Sequence, residues 1–260
     1  MKGSDDMTKF IFDLQRFAAI IMGGGDDTLV EGTEGPDQIS YSGNRVTIMS
    51  FAANDKIESA GQQCSINSGA GSDNITTEGD LATIDAGEGR DSVINYGQRS
   101  SLNGGADSDT ISNFADLVTI LGGSDDDSIM SDGQKVLIKG GAGNDQIFND
   151  VYSGGSVGSK VTIDAGAGND YIQTYEEGEK VSINGGAGKD TILNGYEGYG
   201  AGKNNTIIGG KDDDLIINYN GENTLFKYAS GDGNDTIKGF NTSSTLIIGN
   251  GKATYSKETL

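Results

Sequence analysis

The chain has 260 residues and a formal net charge of −21, with 43 glycines, one cysteine and no histidine or tryptophan. This acidity argues against nucleic acid, whose phosphates require lysine and arginine, and against an anionic membrane surface, whereas it suits cations. A single cysteine excludes an internal disulfide framework. Hydrophobic residues make up only 34% of the chain, a fraction typical of disordered segments, so a fold has to be argued from pattern.

The N-terminal residues precede any repeat. Residues 1–6 (MKGSDD) come before a second methionine and are interpreted as a remnant of cloning. Residues 7–22 are predicted to form an N-terminal cap, a short helix or strand, because a repeat fold needs a cover over its first unit. Apolar residues with helical spacing occur here at Phe10, Leu14, Phe17 and Ile21. No secretory signal is recognised, and no apolar run is long enough to predict a membrane span.

From residue 23 onwards one pattern recurs, in which an aspartate is followed two positions later by isoleucine or valine. The aspartates are Asp37, Asp55, Asp73, Asp91, Asp109, Asp127, Asp145, Asp170, Asp190, Asp214 and Asp235. The first six gaps are 18 residues each, and the later gaps are 25, 20, 24 and 21 residues. Eleven repeats in a constant register are not compatible with a disordered chain, so the composition is outweighed by the pattern.

Each repeat has one segment of constant length. A large apolar residue stands seven positions before every aspartate, the last of them being Tyr228 before Asp235. Insertions fall elsewhere, as in residues 149–160 and 194–205. Variable length is typical of surface loops, whereas constant length is expected where backbone groups must meet a partner in register.

Two short apolar segments per 18 residues predict two short strands, and inward residues alternate with the strand period of two. A unit this small cannot bury its own apolar face and must stack on its neighbours. The predicted fold is all-β: a parallel β-roll, or two-sheet β-solenoid, of about eleven coils, mostly of 18 residues. It is predicted to occupy residues 23–250, with a C-terminal tail at 251–260. Small polar residues four positions after most of the aspartates are predicted to hydrogen-bond along the stack, and Cys64 is predicted to be an interior residue.

The segments of constant length contain glycine-rich loops such as GGAGND (140–145), although the loop SFAAND (50–55) has no glycine. Parallel stacking would place the aspartates about 5 Å apart, where uncompensated carboxylates repel one another. Carboxylate and carbonyl oxygens are the ligands of Ca²⁺, which accepts six to eight of them in flexible geometry. Glycine allows the backbone conformations that turn carbonyls inward, so one line of several calcium ions is predicted along this edge.

The predicted metal-binding residues are Asp37, Gly71, Asp73, Gly89, Asp91, Asp107, Asp109, Asp125, Asp127, Gly141, Gly143, Asp145, Gly166, Gly168, Asp170, Gly186, Gly188, Asp190, Asp212, Asp214, Gly231, Gly233 and Asp235, with Asp27 and Asp55 as weaker candidates. Three of them, Asp107, Asp125 and Asp212, replace a glycine of the motif and are predicted either to add ligands or to be solvated. Asp27 lies ten residues before Asp37, which predicts the opposite edge and no stacked partner, since the equivalent position in the next coil is near Arg45.

The segments GGAGNDQIF (140–148), AGAGNDYIQ (165–173) and GGAGKDTIL (185–193) resemble the GGxGxDxUx nonapeptide of the RTX, or haemolysin-type, family, and residues 226–240 resemble its terminal repeats. The resemblance covers about residues 22–250. It implies a calcium-bound parallel β-roll, usually secreted by a type I system without an N-terminal signal, beside toxins, proteases, lipases or adhesins. In that family the motif recurs every nine residues and calcium lies on both edges. Here it recurs every 18, and the series ends where Ala253 replaces aspartate.

These features predict a secreted or surface-located calcium module with a structural or adhesive role. Its predicted partners are calcium ions and, at the loops of the opposite edge, an extracellular glycan or protein. An ice-binding solenoid is an alternative because a column of threonine and serine faces outward on the second strand, although Leu137 and Lys227 interrupt it. A carbohydrate-binding or carbohydrate-active module is another alternative. Catalysis is not predicted, because the chain has no histidine for acid–base chemistry.

Overall fold

The structure, a computed structural model, describes residues 18–149, 159–175, 179–197 and 202–249, and all of their regular structure is β-strand. The strands are β1 (Ile20–Gly23), β2 (Leu29–Glu31), β3 (Gln38–Tyr41), β4 (Thr47–Met49), β5 (Lys56–Ser59), β6 (Ser65–Asn67), β7 (Asn74–Thr77), β8 (Thr83–Glu88), β9 (Ser92–Asn95), β10 (Ser101–Ala106), β11 (Thr110–Asn113), β12 (Thr119–Ser124), β13 (Ser128–Ser131), β14 (Leu137–Ala142), β15 (Gln146–Asn149), β16 (Thr162–Ala167), β17 (Tyr171–Thr174), β18 (Ser182–Ala187), β19 (Thr191–Asn194), β20 (Thr206–Lys211), β21 (Leu215–Asn218), β22 (Leu225–Tyr228), β23 (Thr236–Lys238) and β24 (Thr245–Ile248).

The strands form two parallel sheets of 12 strands each, one containing every odd-numbered strand and the other every even-numbered strand. An odd strand and the even strand that follows it make one coil, so the described chain forms 12 coils. This confirms the predicted two-sheet β-solenoid. The sequence count of about eleven coils rested on the aspartates, and the additional coil is the first. There Ala19 occupies the position of the aspartate, as shown by the hydrogen bond from the Gln38 N–H to the Ala19 carbonyl.

The core is a narrow double column of side chains between the two sheets. Each odd strand contributes one inward residue, such as Ile129, and each even strand contributes another, such as Ile138, both fully buried. A second inward position just before the even strand is occupied by smaller residues, such as Val136 and Cys64. Since each coil adds only about three apolar side chains, a chain with 34% hydrophobic residues suffices. The interior position predicted for Cys64 is confirmed.

The last repeat departs from constant length. Phe226 pairs with Ile207 and is buried, so it occupies the inward position that the sequence pattern had predicted for Tyr228. That prediction is wrong because the connection from the inward residue to Asp235 is two residues longer than in the other coils. Tyr228 is only partly buried, and its hydroxyl donates to the Gly233 carbonyl within this longer connection. Leu225, and not Lys227, therefore continues the outward column of Thr206.

A column of polar side chains also runs inside the solenoid, at the ends of the odd strands. The Asn95 amide donates to Oδ1 of Asn113 at 2.7 Å, and the Asn113 amide donates to the Ser131 hydroxyl at 3.1 Å. Asn194 and Asn218 make the same contact at 2.7 Å. These side chains are buried, so the predicted hydrogen bonding along the stack is confirmed for these residues.

The end of the predicted N-terminal cap is a strand, because β1 pairs with β3 and its Ile21 packs against the core. Phe10, Leu14 and Phe17 lie outside the described residues, as do residues 1–6, the tail at 251–260, Ala253 and parts of both insertions. In the ranges that are described, the chain forms no helix with the length and apolar character needed to cross a membrane.

Candidate metal centre

Tight turns connect each even strand to the next odd strand, and they define one edge of the solenoid. In the turn between β14 and β15, Gly141 and Gly143 have φ angles of 127° and 128°. A β-carbon at Gly143 would collide with the carbonyl oxygen of Asp125 in the preceding coil. Glycine is therefore required here by both the left-handed backbone and the close approach of the neighbouring coil.

Four turns carry a different residue in place of the second glycine. These residues are Ala53, Asp107, Asp125 and Asp212, with φ angles of 71°, 72°, 71° and 77°. Six glycines at this position, from Gly71 to Gly233, have φ angles between 104° and 142°. The smaller φ angle keeps the turn while accommodating a β-carbon beside the preceding coil. The replacement of glycine by aspartate, read from the sequence, thus coincides with a distinct backbone conformation, one that costs free energy for a non-glycine residue.

The geometry that recurs from coil to coil at this edge is a line of aspartates linked by hydrogen bonds. The backbone N–H of each aspartate donates to Oδ1 of the aspartate in the following coil. There are ten such bonds, nine of 2.7–2.9 Å and a last one of 3.2 Å between Asp214 and Asp235. We call the eleven aspartates, from Asp37 to Asp235, the aspartate row. It confirms that the repeat register brings these side chains together along one edge.

The second carboxylate oxygen of most aspartates in the row has no partner. The buried Oδ2 atoms without a hydrogen bond belong to Asp55, Asp73, Asp91, Asp109, Asp127, Asp145, Asp170, Asp190 and Asp214. Each of these residues is at most 3% exposed. Buried polar atoms without a partner are rare in proteins because their desolvation is not compensated, so nine of them in one line fit a row of sites for a cationic ligand.

Burial and mutual repulsion change the acidity of the row. Desolvation is the largest effect, and repulsion by neighbouring aspartates adds to it, whereas the hydrogen bond from the preceding backbone N–H acts in the opposite direction. The pKa rises to about 7 for Asp91, Asp109, Asp145 and Asp190. The pKa rises to about 6 for Asp55, Asp127, Asp214 and Asp235, and the pKa values of Asp73 and Asp170 are also raised. Without bound metal, the aspartates of the row are therefore harder to ionise than ordinary aspartates.

The chemistry of the row fits calcium. Within the described ranges, no three acidic side chains come close enough together to hold a metal by themselves, so an ion would also need backbone carbonyls. Such carbonyls are present, since a β-carbon placed on Gly140 would meet both Oδ2 of Asp145 and the carbonyl oxygen of Ala165 in the next coil. Carboxylate and carbonyl oxygens together form the hard donor set that Ca²⁺ prefers. The Oδ2 atoms of the row and the carbonyls of the turns would hold the ions.

The N-terminal end of the row differs from its middle. Asp37 is already saturated, because it accepts hydrogen bonds from the Thr33 N–H at 2.6 Å, from the Thr33 hydroxyl at 2.8 Å and from the Ala19 N–H at 2.6 Å. Asp55 was predicted from the sequence to be a weaker candidate for metal binding, but its Oδ2 is buried and without a partner, as in the central aspartates. Its turn achieves this without glycine, since Phe51 and Ala53 adopt φ angles of 75° and 71°.

Asp27 lies on the opposite edge, as predicted, and is excluded from the row. The Arg45 guanidinium in the next coil donates to its two carboxylate oxygens at 2.6 and 2.7 Å. This bidentate contact, made by an exposed pair, lowers the pKa of Asp27 through hydrogen bonding and charge attraction. The Arg45 guanidinium therefore occupies the position beside the Asp27 carboxylate that a metal ion would need.

Sequence reasoning missed three hydroxyl groups at this edge. The Thr33 hydroxyl donates to Asp37, and the Ser50 and Ser68 hydroxyls lie near Asp55 and Asp73, where they offset part of the rise in the pKa values of these two aspartates. Each of the two serines donates its single hydroxyl proton to a backbone carbonyl of the next coil, at 3.0 and 2.7 Å, so Oδ2 of Asp55 and of Asp73 keeps no hydrogen-bond partner. For Ser50 and Ser68 the available signal was a small polar residue five positions before the aspartate, where most other coils have glycine or alanine, whereas Thr33 stands four positions before Asp37.

Comparison with protein families agrees with this geometry. The model of the RTX calcium-binding nonapeptide repeat matches residues 121–151, 161–175 and 199–225, with four copies. These segments match RTX calcium-binding repeats. The matched segments contain Asp127, Asp145, Asp170 and Asp214 of the aspartate row, and the resemblance noted in the sequence is confirmed. Comparisons with curated proteins and with solved structures give no significant match. The match to RTX repeats and the β-solenoid together support a structural repeat module of the calcium-binding type.

Proposed function

We propose that the chain is a calcium-folded structural or adhesive module of a secreted or surface protein, with a single line of calcium ions along the aspartate row. The observation that carries this proposal is the line of nine buried carboxylate oxygens without partners. A divalent cation between successive coils would supply the missing partner for each of them. The matching family model supports calcium as that cation.

The proposed mechanism couples folding to metal binding. Without calcium, desolvated carboxylates about one strand spacing apart oppose the stacking of coils. Calcium removes that repulsion, and the free energy of binding becomes free energy of folding, since the unfolded chain has no preformed site. The eleven aspartates of the row leave ten intervals, and ten calcium ions would bring about +20 against the formal charge of −21.

The proposal extends to the cellular location of the protein and to its partners. Low calcium inside the cell would keep the chain open, and high calcium outside would fold it, which suits secretion by a type I system. The edge opposite the aspartate row is the candidate surface for an extracellular glycan or protein. Its loops follow the odd strands and vary in length from coil to coil, as the 25-residue and 24-residue spacings show.

The test is a comparison of the protein in chelator and in millimolar calcium by circular dichroism, with native mass spectrometry to count bound ions. We expect loss of β-structure in chelator, recovery with calcium, weaker recovery with magnesium, and several bound calcium ions. Unchanged β-structure in chelator, together with no bound calcium, would overturn the proposal. Aspartates on the opposite edge provide the control, since Asp80→Asn removes one charge without touching the row.

A further inference from the structure

We infer that calcium binding and folding start at two adjacent turns near the middle of the row, residues 104–109 and 122–127, which we call the acidic turn pair. The inference rests on the proposed function and adds to it the order in which sites are filled. The pair connects β10 to β11 and β12 to β13, and these strands are neighbours in their sheets.

The acidic turn pair has the highest uncompensated negative charge along the row. Its two turns contain five carboxylates, those of Asp107, Asp109, Asp125, Asp126 and Asp127, and no basic residue. Each turn of the pair at 140–145 and 165–170 contains a single aspartate and no other charged residue. Calcium affinity rises with the number of carboxylates near the site, so the first ion is expected at the acidic turn pair.

The pair also contains buried groups that require a ligand. Asp109 and Asp127 are each 2% exposed, and their Oδ2 atoms have no hydrogen-bond partner. Asp107 and Asp125 stand at the glycine position of two successive turns and hold left-handed φ angles of 72° and 71°. Their carboxylates are exposed and lie close enough to the row to repel the carboxylates of Asp109 and Asp127.

The only comparable group of charges in the described turns is partly neutralised. The turns at 209–214 and 230–235 also contain five aspartates, but Lys211 lies within the first of them. The ammonium group of Lys189 is also 3.5 Å from the carboxylate of Asp213. This region is therefore expected to bind calcium after the acidic turn pair.

A first ion at the acidic turn pair would order two neighbouring coils at once. In a stack where each unit contacts only its neighbours, ordered coils serve as a template for the next coil on both sides. Folding is therefore expected to spread from residues 101–131 towards both ends of the row as calcium increases.

The substitution that tests this is Asp107→Gly with Asp125→Gly, which restores the residue found at the same position in other turns. Glycine relieves the left-handed strain, so the variant is not expected to lose stability through its backbone. We expect a weakening of the first calcium-binding step by about tenfold, measured by calorimetric titration. The matched control is Asp80→Asn with Asp116→Asn, which removes two charges from the opposite edge and keeps the acceptors used by the Gln98 and Gln134 N–H groups.

A second measurement locates the starting point directly. Hydrogen–deuterium exchange at limiting calcium should show protection first in peptides covering residues 101–131, and in the double glycine variant this early protection should disappear. Protection that begins at residues 206–238, or simultaneously along the whole row, would overturn the inference. An equal loss of affinity in the control variant would also overturn it, because the effect would then reflect total charge. If the unaltered protein binds no calcium, the proposed function itself is wrong, so the two failures are distinguishable.

Discussion

The backbone N–H of Asp127 donates a 2.9 Å hydrogen bond to Oδ1 of Asp145 in the next coil, and Oδ2 of Asp145 is buried without a partner. One oxygen of the carboxylate therefore joins two coils, and the other is available to a cation. Because this arrangement recurs along the row, the same residue both connects the stack and creates its requirement for metal.

Asp145→Asn should weaken calcium binding without preventing the stacking of coils. The amide oxygen can still accept from the Asp127 N–H, but the charge shared by the intervals on both sides of Asp145 is lost. We expect the calcium concentration at half-folding to rise about tenfold, equivalent to about 1.4 kcal/mol, when folding is followed by circular dichroism. Asp80→Asn, on the opposite edge, should leave it nearly unchanged, and an equal shift in both variants would contradict this prediction.

The metal-free protein should become less stable as pH rises from about 4 to about 7. The pKa of Asp109 and of Asp145 is about 7 in the folded chain, above the value of about 3.9 for an unperturbed aspartate. The folded state thus holds protons that the unfolded state has released, so its advantage is complete below about pH 4 and is lost as pH rises to about 7. Circular dichroism in calcium-free buffer between pH 4 and pH 8 measures this as a folded fraction that falls with rising pH, and a β-signal that is flat or increases with pH would contradict it.

In the presence of calcium the pH dependence should reverse. Protons compete with calcium for the row, so calcium affinity is expected to increase as pH rises through about 6 to 7, where Asp127 and Asp145 lose their protons. Calorimetric titrations at pH 5.5 and pH 7.5 should therefore show tighter binding at the higher pH. Binding of equal strength at both pH values would show that these carboxylates are not the ligands.

Two substitutions at the same position of different turns should have opposite effects. Gly143→Ala places a β-carbon against the Asp125 carbonyl at a φ angle of 128° and should destabilise the fold by about 2 kcal/mol. Ala53→Gly removes a β-carbon from a residue with a φ angle of 71° and should stabilise the fold by up to about 1 kcal/mol. Thermal unfolding in saturating calcium measures both. Changes of the same sign would mean that backbone conformation does not limit the turns.

Asp27→Asn should not change the number of calcium ions bound. Its carboxylate is held by Arg45 on the opposite edge, and an exposed ion pair contributes at most about 1 kcal/mol to stability. Native mass spectrometry should give the same ion count for Asp27→Asn and for the unaltered protein. The loss of one ion would show that Asp27 does bind metal.

The sequence predicted the parts of the molecule that repeat and failed where a single coil differs. The aspartate and the branched apolar residue two positions later, represented by Asp145 and Ile147, recur in the same register in every repeat. A register shared by eleven repeats is explained only by a stacked solenoid. Phe226 was missed because both Phe226 and Tyr228 suit the inward face by alternation, and the rule of constant length selected the wrong one. The first coil was missed because Ala19 has no carboxylate to reveal it.

The details of the candidate site were less accessible to sequence. That Oδ1 of Asp145 binds a backbone N–H and Oδ2 does not depends on side-chain orientation, which residue spacing does not determine. The pairing of Asp27 with Arg45 was partly foreseeable, because the spacing placed both residues near each other on the opposite edge. Their bidentate contact is made between two residues in left-handed turns, with φ angles of 53° and 57°. The residue types at these positions do not predict that backbone conformation.

The ten hydrogen bonds of the aspartate row all point the same way, each from a backbone N–H to the carboxylate of the following coil. Every interior coil thus offers a donor on one side and an acceptor on the other, in the manner of identical building blocks with complementary faces. Removing one complete repeat, for example residues 74–91, would bring Asp73 against Asp109 with the same contacts on both sides. The length of the rod can therefore change by whole coils, through duplication or loss of 18-residue units, without any new interface having to arise.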